Sequence, residues 1–201
     1  MGSLVVGTFL TLDGVYQAPG GRDEDREGGF QHGGWTAPYW DDELGRRIVE
    51  VTTRPDALLL GRKTYEIFAG YWPNADPTDP VAAHLNNVRK YVASRSLDQV
   101  EWNNARLIRG DVAEQVAKLK EEHEEIAVTG SGDLIQTLLR HDLVDMFGLW
   151  IFPLIVGSGK RLFGGGTLPG ALTLTDSFTS DTGVIVANYE RAGAVRTGEV
   201  G

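Results

Sequence analysis

Between residues 4 and 139 the chain alternates short apolar runs with longer amphipathic ones. Residues 4–12 are apolar and rich in β-branched side chains, and they end on Asp13-Gly14, a turn pair, so a strand is predicted. Leu44, Ile48 and Val51 recur at i, i+4 and i+7, the spacing of one helix face. Residues 57–60 form a continuous apolar run, as expected of a strand buried on both faces of a sheet. Tyr65 and Phe68 open another helical segment. Asp79-Pro80 supplies an N-cap and a first-turn proline ahead of Val81, Leu85 and Val88. Residues 90–94 and 105–109 are two more strands, and Asp111 with Glu114 gives a capping-box pattern before Val112, Val116 and Leu119. Residues 125–129 continue the alternation as a strand and 134–139 as a helix. From Val144 the pattern changes: 144–156, 172–178 and 183–191 are strands with no helix between them. Alternating strands and helices followed by strands alone predict an α/β fold, with a mostly parallel sheet, helices on both faces and an antiparallel edge.

One stretch breaks this rhythm. After Asp13 some thirty residues are charged and carry the pairs Gly20-Gly21, Gly28-Gly29 and Gly33-Gly34. A loop of that length in a compact domain is more often functional than idle, and residues 20–34 are expected to act as a mobile lid with glycines absorbing the motion. Composition narrows the rest. With 201 residues, 41% apolar and 23% charged, the chain can bury a substantial core, and one domain over 1–201 is expected. A net charge of −9 argues against nucleic acid or an anionic membrane as the main partner, while leaving room for a local basic pocket. The absence of cysteine removes disulfides, thiolate metal sites and cysteine nucleophiles. The opening residues lack the basic region of a signal peptide and no apolar run is long enough for a membrane span, so a cytoplasmic protein is expected. His32, His84, His123 and His141 show no metal-ligand spacing, and no metal is expected.

In an open α/β sheet, ligands bind outside the carboxyl ends of the strands. Three turns there share a character: Gly61-Arg62-Lys63-Thr64, Ala93-Ser94-Arg95-Ser96 and Thr129-Gly130-Ser131-Gly132-Asp133. The first and third open into helices, whose free N–H groups and partial positive charge accept phosphate oxygens. Gly130 and Gly132 admit close backbone approach, the hydroxyls of Thr64, Ser94 and Ser131 can donate, and Arg62 and Arg95 can neutralise charge. Together they suit a dinucleotide lying across several strands. Two commoner motifs fail. Ile135 stands where G-x-G-x-x-G needs its last glycine, and Arg161 follows Gly159-Lys160 where a P-loop needs Ser or Thr. No G-x-S-x-G elbow supports a hydrolase.

The opening Thr11-Leu12-Asp13-Gly14, the run from Gly61 to Glu66, the Thr129-to-Gly132 turn and the segment from Pro153 to Phe163 resemble, in that order, the RibD C-terminal reductase family, which is similar to dihydrofolate reductase. The resemblance covers almost the whole chain. It implies an eight-stranded mixed sheet, NADPH as hydride donor and reduction of a pteridine-, pyrimidine- or similar ring. By position, Gly61, Arg62 and Thr64 would carry part of the pyrophosphate and adenosine site. Ser94 and Arg95 would meet the 2′-phosphate, and Thr129, Gly130, Ser131, Gly132, Asp133 and Leu134 would wrap the pyrophosphate. Family members often pair as homodimers, and the apolar strand over 146–156 is the expected contact. The zinc deaminase domain of the full riboflavin enzyme needs cysteine ligands and has no counterpart here. Asp13 and Asp42 are the candidate catalytic carboxylates, and Tyr39, Tyr65, Phe68, Phe152 and Pro153 the candidate substrate wall. The rival expectation is a protein of this fold that binds a nucleotide and reduces nothing.

Overall fold

The computed structural model describes residues 1–164 and 167–200. Eight strands form one mixed sheet: β1 (Ser3–Thr11), β2 (Ala57–Gly61), β3 (Arg89–Ala93), β4 (Ala105–Ile108), β5 (Glu125–Thr129), β6 (Met146–Phe152), β7 (Leu172–Thr179) and β8 (Ile185–Arg191). Their order is β4-β3-β2-β5-β1-β6-β8-β7. Every pairing among β1 to β6 is parallel, and both pairings of β8 are antiparallel. Five helices intervene: α1 (Asp42–Thr53), α2 (Arg62–Tyr71), α3 (Pro80–Asn87), α4 (Val112–Glu122) and α5 (Gly132–Arg140). This is the mostly parallel α/β sheet with antiparallel terminal strands that the hydrophobic pattern predicts.

Both faces of the sheet are covered. Leu4, Val6 and Leu10 of β1 point to one side, where Val116 and Leu119 of α4 and Leu134, Ile135 and Leu138 of α5 pack against them. On the other side Leu58, Leu60 and Val92 meet Tyr65 of α2 and Val81 and Leu85 of α3. Leu44 of α1 joins Trp150, Phe152 and Val186 further along the same face. Strand β2 is buried at four successive positions, as a doubly covered strand should be, whereas β1 alternates buried and half-buried residues. The half-buried set, Val5, Gly7 and Phe9, faces a gap between the sheet and its helices.

One expectation changes. Strand β6 stops at Phe152, because Pro153 has no N–H to continue the ladder, and the segment to Val156 leaves the sheet. Because β6 lies between β1 and β8, it offers no free edge to a second subunit. The segment over 20–34, the expected lid, is anchored at Phe30 and just outside its ends, while most of residues 20–29 are exposed. Phe30 and Trp35 are buried in the core, Trp35 Nε1 donates to the Gln17 carbonyl at 2.8 Å, and single 3₁₀ turns form at Glu27–Gly29 and Ala37–Tyr39.

Candidate active site

The gap is part of a groove of about 1730 Å³ that takes in the carboxyl ends of the parallel strands and extends back along the sheet to Arg54, Pro55 and Glu125, larger than the several hundred Å³ that a drug-sized ligand needs. All eleven residues expected to hold the cofactor line it: Gly61, Arg62 and Thr64 at the start of α2; Ser94 and Arg95 after β3; and Thr129, Gly130, Ser131, Gly132, Asp133 and Leu134 at the start of α5. A common rule places the first and third turns here. Helices α1, α3 and α4 are each capped by an aspartate, with Asp41, Asp79 and Asp111 accepting from Leu44, Val81 and Glu114 N–H. The helices α2 and α5 have no side-chain cap, and their starts face the groove. Their first-turn amides are therefore the ones left for a ligand.

The two turns are fastened to each other. Gly61 N–H donates to Ser131 Oγ at 2.9 Å, and Thr64 Oγ1 accepts from Ser131 N–H at 3.0 Å. The Ser131 hydroxyl lies 3.0 Å from Thr64 Oγ1 and 3.1 Å from the Thr129 carbonyl, so one proton serves two acceptors. This network holds Ser131 in the left-handed region at φ 58°, which a serine rarely adopts unaided. A Cβ on Gly130 would lie 2.9 Å from Thr64 Oγ1. Close packing and a positive φ thus both call for glycine there. Ser94 Oγ accepts from the N–H groups of Ser96 and Leu97, which shapes the β3 turn and leaves Arg95 exposed. Arg62 is partly engaged by Glu66 at 3.1 Å.

The rim of the groove is built by the segment after β1. Buried Gln17 donates to the Asp25 and Glu27 carbonyls and accepts from Lys160 N–H at 3.1 Å. Lys160 Nζ sits 2.5 Å from Asp25 and 2.6 Å from Glu27, and Lys63 also pairs with Glu27. Hydrogen bonds from Lys160 and Lys63 hold the Glu27 carboxyl down to about 2, and these acids in turn raise the Lys160 ammonium above its usual value. Tyr16 reaches across the groove, and its hydroxyl rests against the backbone of Gly132; a Cβ there would be 1.9 Å away. Burial raises the Tyr16 phenol, so it stays neutral.

The candidate carboxylates lie elsewhere. Asp13 accepts from the Thr11 hydroxyl at 2.6 Å, from Val156 N–H at 3.3 Å and from Gly157 N–H at 2.9 Å, and it pairs with Arg161. These bonds, the Thr11 hydroxyl foremost, hold its carboxyl below the usual range, so it is a poor proton donor. Its work is to fasten the end of β1 to the segment after β6. Asp42 is exposed in the first turn of α1, outside the groove lining. Of the expected substrate wall, Phe68 lines the groove. Tyr65 points into the core, where its hydroxyl accepts from Glu101 and Trp102 N–H. Phe152 is fully buried, edge-on to Phe9, Trp35 and Tyr39, and neither it nor Tyr39 or Pro153 reaches the groove surface. The aromatic residues that do are Phe9, Tyr16, Trp40, Phe68, Trp72 and Trp150.

The sequence profile of the RibD C-terminal domain matches residues 3–186. The chain belongs to that family. This RibD C-terminal domain is 30% identical to the uncharacterized protein YyaP of Bacillus subtilis over 164 residues, which are 80% of this chain and 79% of that protein. Among solved structures it is similar to a putative riboflavin biosynthesis protein from Shewanella sp. PV-4, with a TM-score of 0.73 at 22% identity over 94% of this chain and 98% of that one. It is also similar to dihydrofolate reductase from Enterococcus faecalis in complex with NADP(H), with a TM-score of 0.60 at 14% identity over 94% and 96% of the two chains. At such identities these structures establish the dihydrofolate-reductase-like fold of this domain.

Proposed function

We propose that this RibD C-terminal domain is an NADPH-dependent reductase that delivers a hydride to a small ring of pteridine or pyrimidine type. The observation that carries this reading is the convergence on one groove of two uncapped helix starts, a glycine cradle at Gly130 and Gly132, and an exposed Arg95. Family membership and the dihydrofolate-reductase-like fold support it. A dinucleotide fits the residues present: amides of α2 and α5 would hold the pyrophosphate, with an anionic oxygen taking the place of the Tyr16 hydroxyl on Gly132. Ser94 and Arg95 would hold the 2′-phosphate. Bound there, the cofactor supplies a hydride from its reduced nicotinamide, and the substrate takes up that hydride with one proton.

The chain's own contribution is then positioning and exclusion of water. Phe9, Trp40 and Trp150 wall the inner groove, and Ile48 and Val51 of α1 roof it. With Asp13 engaged behind β1 and Asp42 outside the groove, the proton in this reading comes from water at the groove mouth. We further read residues 1–201 as one domain acting in the cytoplasm. We assign a second copy of the chain to the uncovered apolar residues around β7 and β8, which include Leu172, Leu174 and Ile185 at 40%, 50% and 41% exposure. Light scattering should give a dimer that Leu174→Glu dissociates; a monomeric wild type refutes that assignment.

The deciding experiment is calorimetric titration with NADPH and with NADH. NADPH is expected to bind more tightly, and Arg95→Ala to weaken it by about ten- to a hundredfold with little change for NADH, since one charge-assisted contact contributes about 1.5–3 kcal/mol. Equal losses refute the role of Arg95. Absence of binding refutes the cofactor, and binding without oxidation by any ring acceptor favours the alternative, a nucleotide-binding protein that does not turn over.

A further inference from the structure

The floor of the inner groove has a feature that hydride delivery alone does not require. Gly7 of β1 pairs with Gly148 of β6, and Gly148 pairs with Asn188 of β8, so the three residues form one row across the sheet. In the other direction Gly7 pairs with Thr129, the residue before the Gly130 turn, which puts the row directly beside the candidate cofactor turn. Glycine inside a strand forfeits packing, and two facing each other mark a place where something flat approaches the backbone. A Cβ on Gly7 would meet no atom within 4 Å, so the space above it is open. A Cβ on Gly148 would meet only the Asn188 carboxamide oxygen, at 3.3 Å. The Asn188 amide therefore leans over the glycine floor, half-buried and in the groove lining, and its side chain makes no hydrogen bond among the described residues. With no partner among the described residues, both ends of that carboxamide are free to exchange water for a ligand.

The surroundings restrict what that ligand is. Phe9 and Trp150 stand one step further along the same strands, and the roof on α1 is Ile48, Val51 and Thr52. The acidic residues of α1, Asp42, Glu43 and Glu50, do not line the groove. The groove's carboxylates come from other elements than β1, β6, β8 and α1, which make its floor and roof. Glu24, Asp25, Glu27, Asp79, Asp111 and Glu125 are already engaged by Gly20 and Gly21 N–H, Lys160, two helix starts and Arg54. A protonated, amidine-like ring edge therefore meets no carboxylate on the floor or roof itself. A carboxamide sets an NH₂ donor group beside a carbonyl acceptor, both uncharged. We propose that Asn188 is a specificity-determining residue, and that with the Gly7–Gly148 floor it selects a flat, uncharged ring whose edge presents an adjacent N–H and C=O. This rests on the reductase reading for the place of the cofactor, but the recognition itself does not need turnover.

The probes are two flat bicyclic rings of similar size, quinazolin-4-one, an uncharged lactam, and 2,4-diaminoquinazoline, an amidine-like base that protonates readily. Binding is read by tryptophan fluorescence on the full chain, with Trp40 and Trp150 in the wall, and NADPH affinity is measured in parallel. The lactam should bind wild type at least about tenfold more tightly than the diamine, the value of roughly one hydrogen-bonded contact. Asn188→Leu should remove that preference, and Asn188→Asp should reverse it, with NADPH affinity unchanged in both. Gly7→Val, which has room to fold, should abolish lactam binding while the circular dichroism spectrum is retained. The proposal is overturned if the lactam shows no preference, if Asn188→Asp leaves the order of the probes unchanged, or if Gly7→Val still binds the lactam. Lactam selectivity without NADPH binding would support the ring site and sink the reductase; NADPH binding without selectivity would do the reverse.

Discussion

Thr64→Val is the sharpest probe of how the candidate cofactor turns are held. The substitution keeps the β-branched shape and removes one oxygen. That oxygen accepts from Ser131 N–H at 3.0 Å and lies 3.0 Å from the Ser131 hydroxyl. The hydroxyl can turn fully to the Thr129 carbonyl at 3.1 Å, so its loss is small. Among the described residues the N–H has no second acceptor, and the side chain that faced it is buried, with 9% exposure. Leaving such a donor unpaired costs about 1–3 kcal/mol. Taking about 2 kcal/mol, a domain of this size should lose about 4–8 °C in Tm, read by calorimetry or denaturant unfolding. Because Ser131 then has less to hold it at φ 58°, the Gly130–Gly132 turn loosens and NADPH affinity should fall together with stability. Thr64→Ser keeps the acceptor and should recover most of both. If Thr64→Val is as stable as wild type and binds NADPH equally well, the network is not what shapes the turn.

Tyr65→Phe tests the core position of that ring: it removes the acceptor for Glu101 and Trp102 N–H and should cost about 1–3 kcal/mol in urea unfolding while NADPH affinity stays put. A selective loss of ligand binding would return Tyr65 to the substrate wall. The Lys160 cluster makes the rim acid-sensitive. Glu27 is depressed from 4.5 to about 2 and Asp25 is also lowered, the Lys160 bonds outweighing burial. Their stabilising effect is therefore complete above the ordinary carboxylate range and is lost as pH falls through that range toward about 2. The emission of Trp35, whose indole is bonded to Gln17, should shift over that window. In Lys160→Met the shift should come at higher pH; coincident curves would discount the cluster.

Much of the fold is legible from periodicity and capping, because those signals are local. Asp79-Pro80 and Asp111 cap α3 and α4 as their spacing implies, and the apolar run over 57–60 becomes the doubly buried β2. The candidate cofactor turns can be placed for the same reason, since a strand, a glycine and a helix start suffice to bring them to one groove. What is not legible depends on which way a side chain turns. Asp13 follows a strand end, as a catalytic carboxylate could, yet it satisfies amides contributed by Val156 and Gly157 at the far end of the chain. Tyr65 lies one residue from groove-lining Thr64, and the helical turn between them is enough to send it into the core. Gln17, Trp150 and Asn188 carry no motif. The faint signal for the floor is a glycine inside each of two apolar strands, Gly7 and Gly148.

The central place of β1 also governs how the molecule comes into being. Its hydrogen-bonding neighbours are β5 and β6, so the first strand made has no partner in the sheet until Glu125–Thr129 and Met146–Phe152 have followed. During synthesis Leu4, Val6 and Leu10 must wait, apolar and unpaired, while β2, β3 and β4 can already assemble as neighbours. Closing so long a span is entropically slow, and the waiting strand is the stretch most open to mispairing. A chain ending before β6 should therefore be a chaperone client rather than a smaller folded unit, and the groove, whose floor runs from Gly7 to Asn188, is completed only at the last strand.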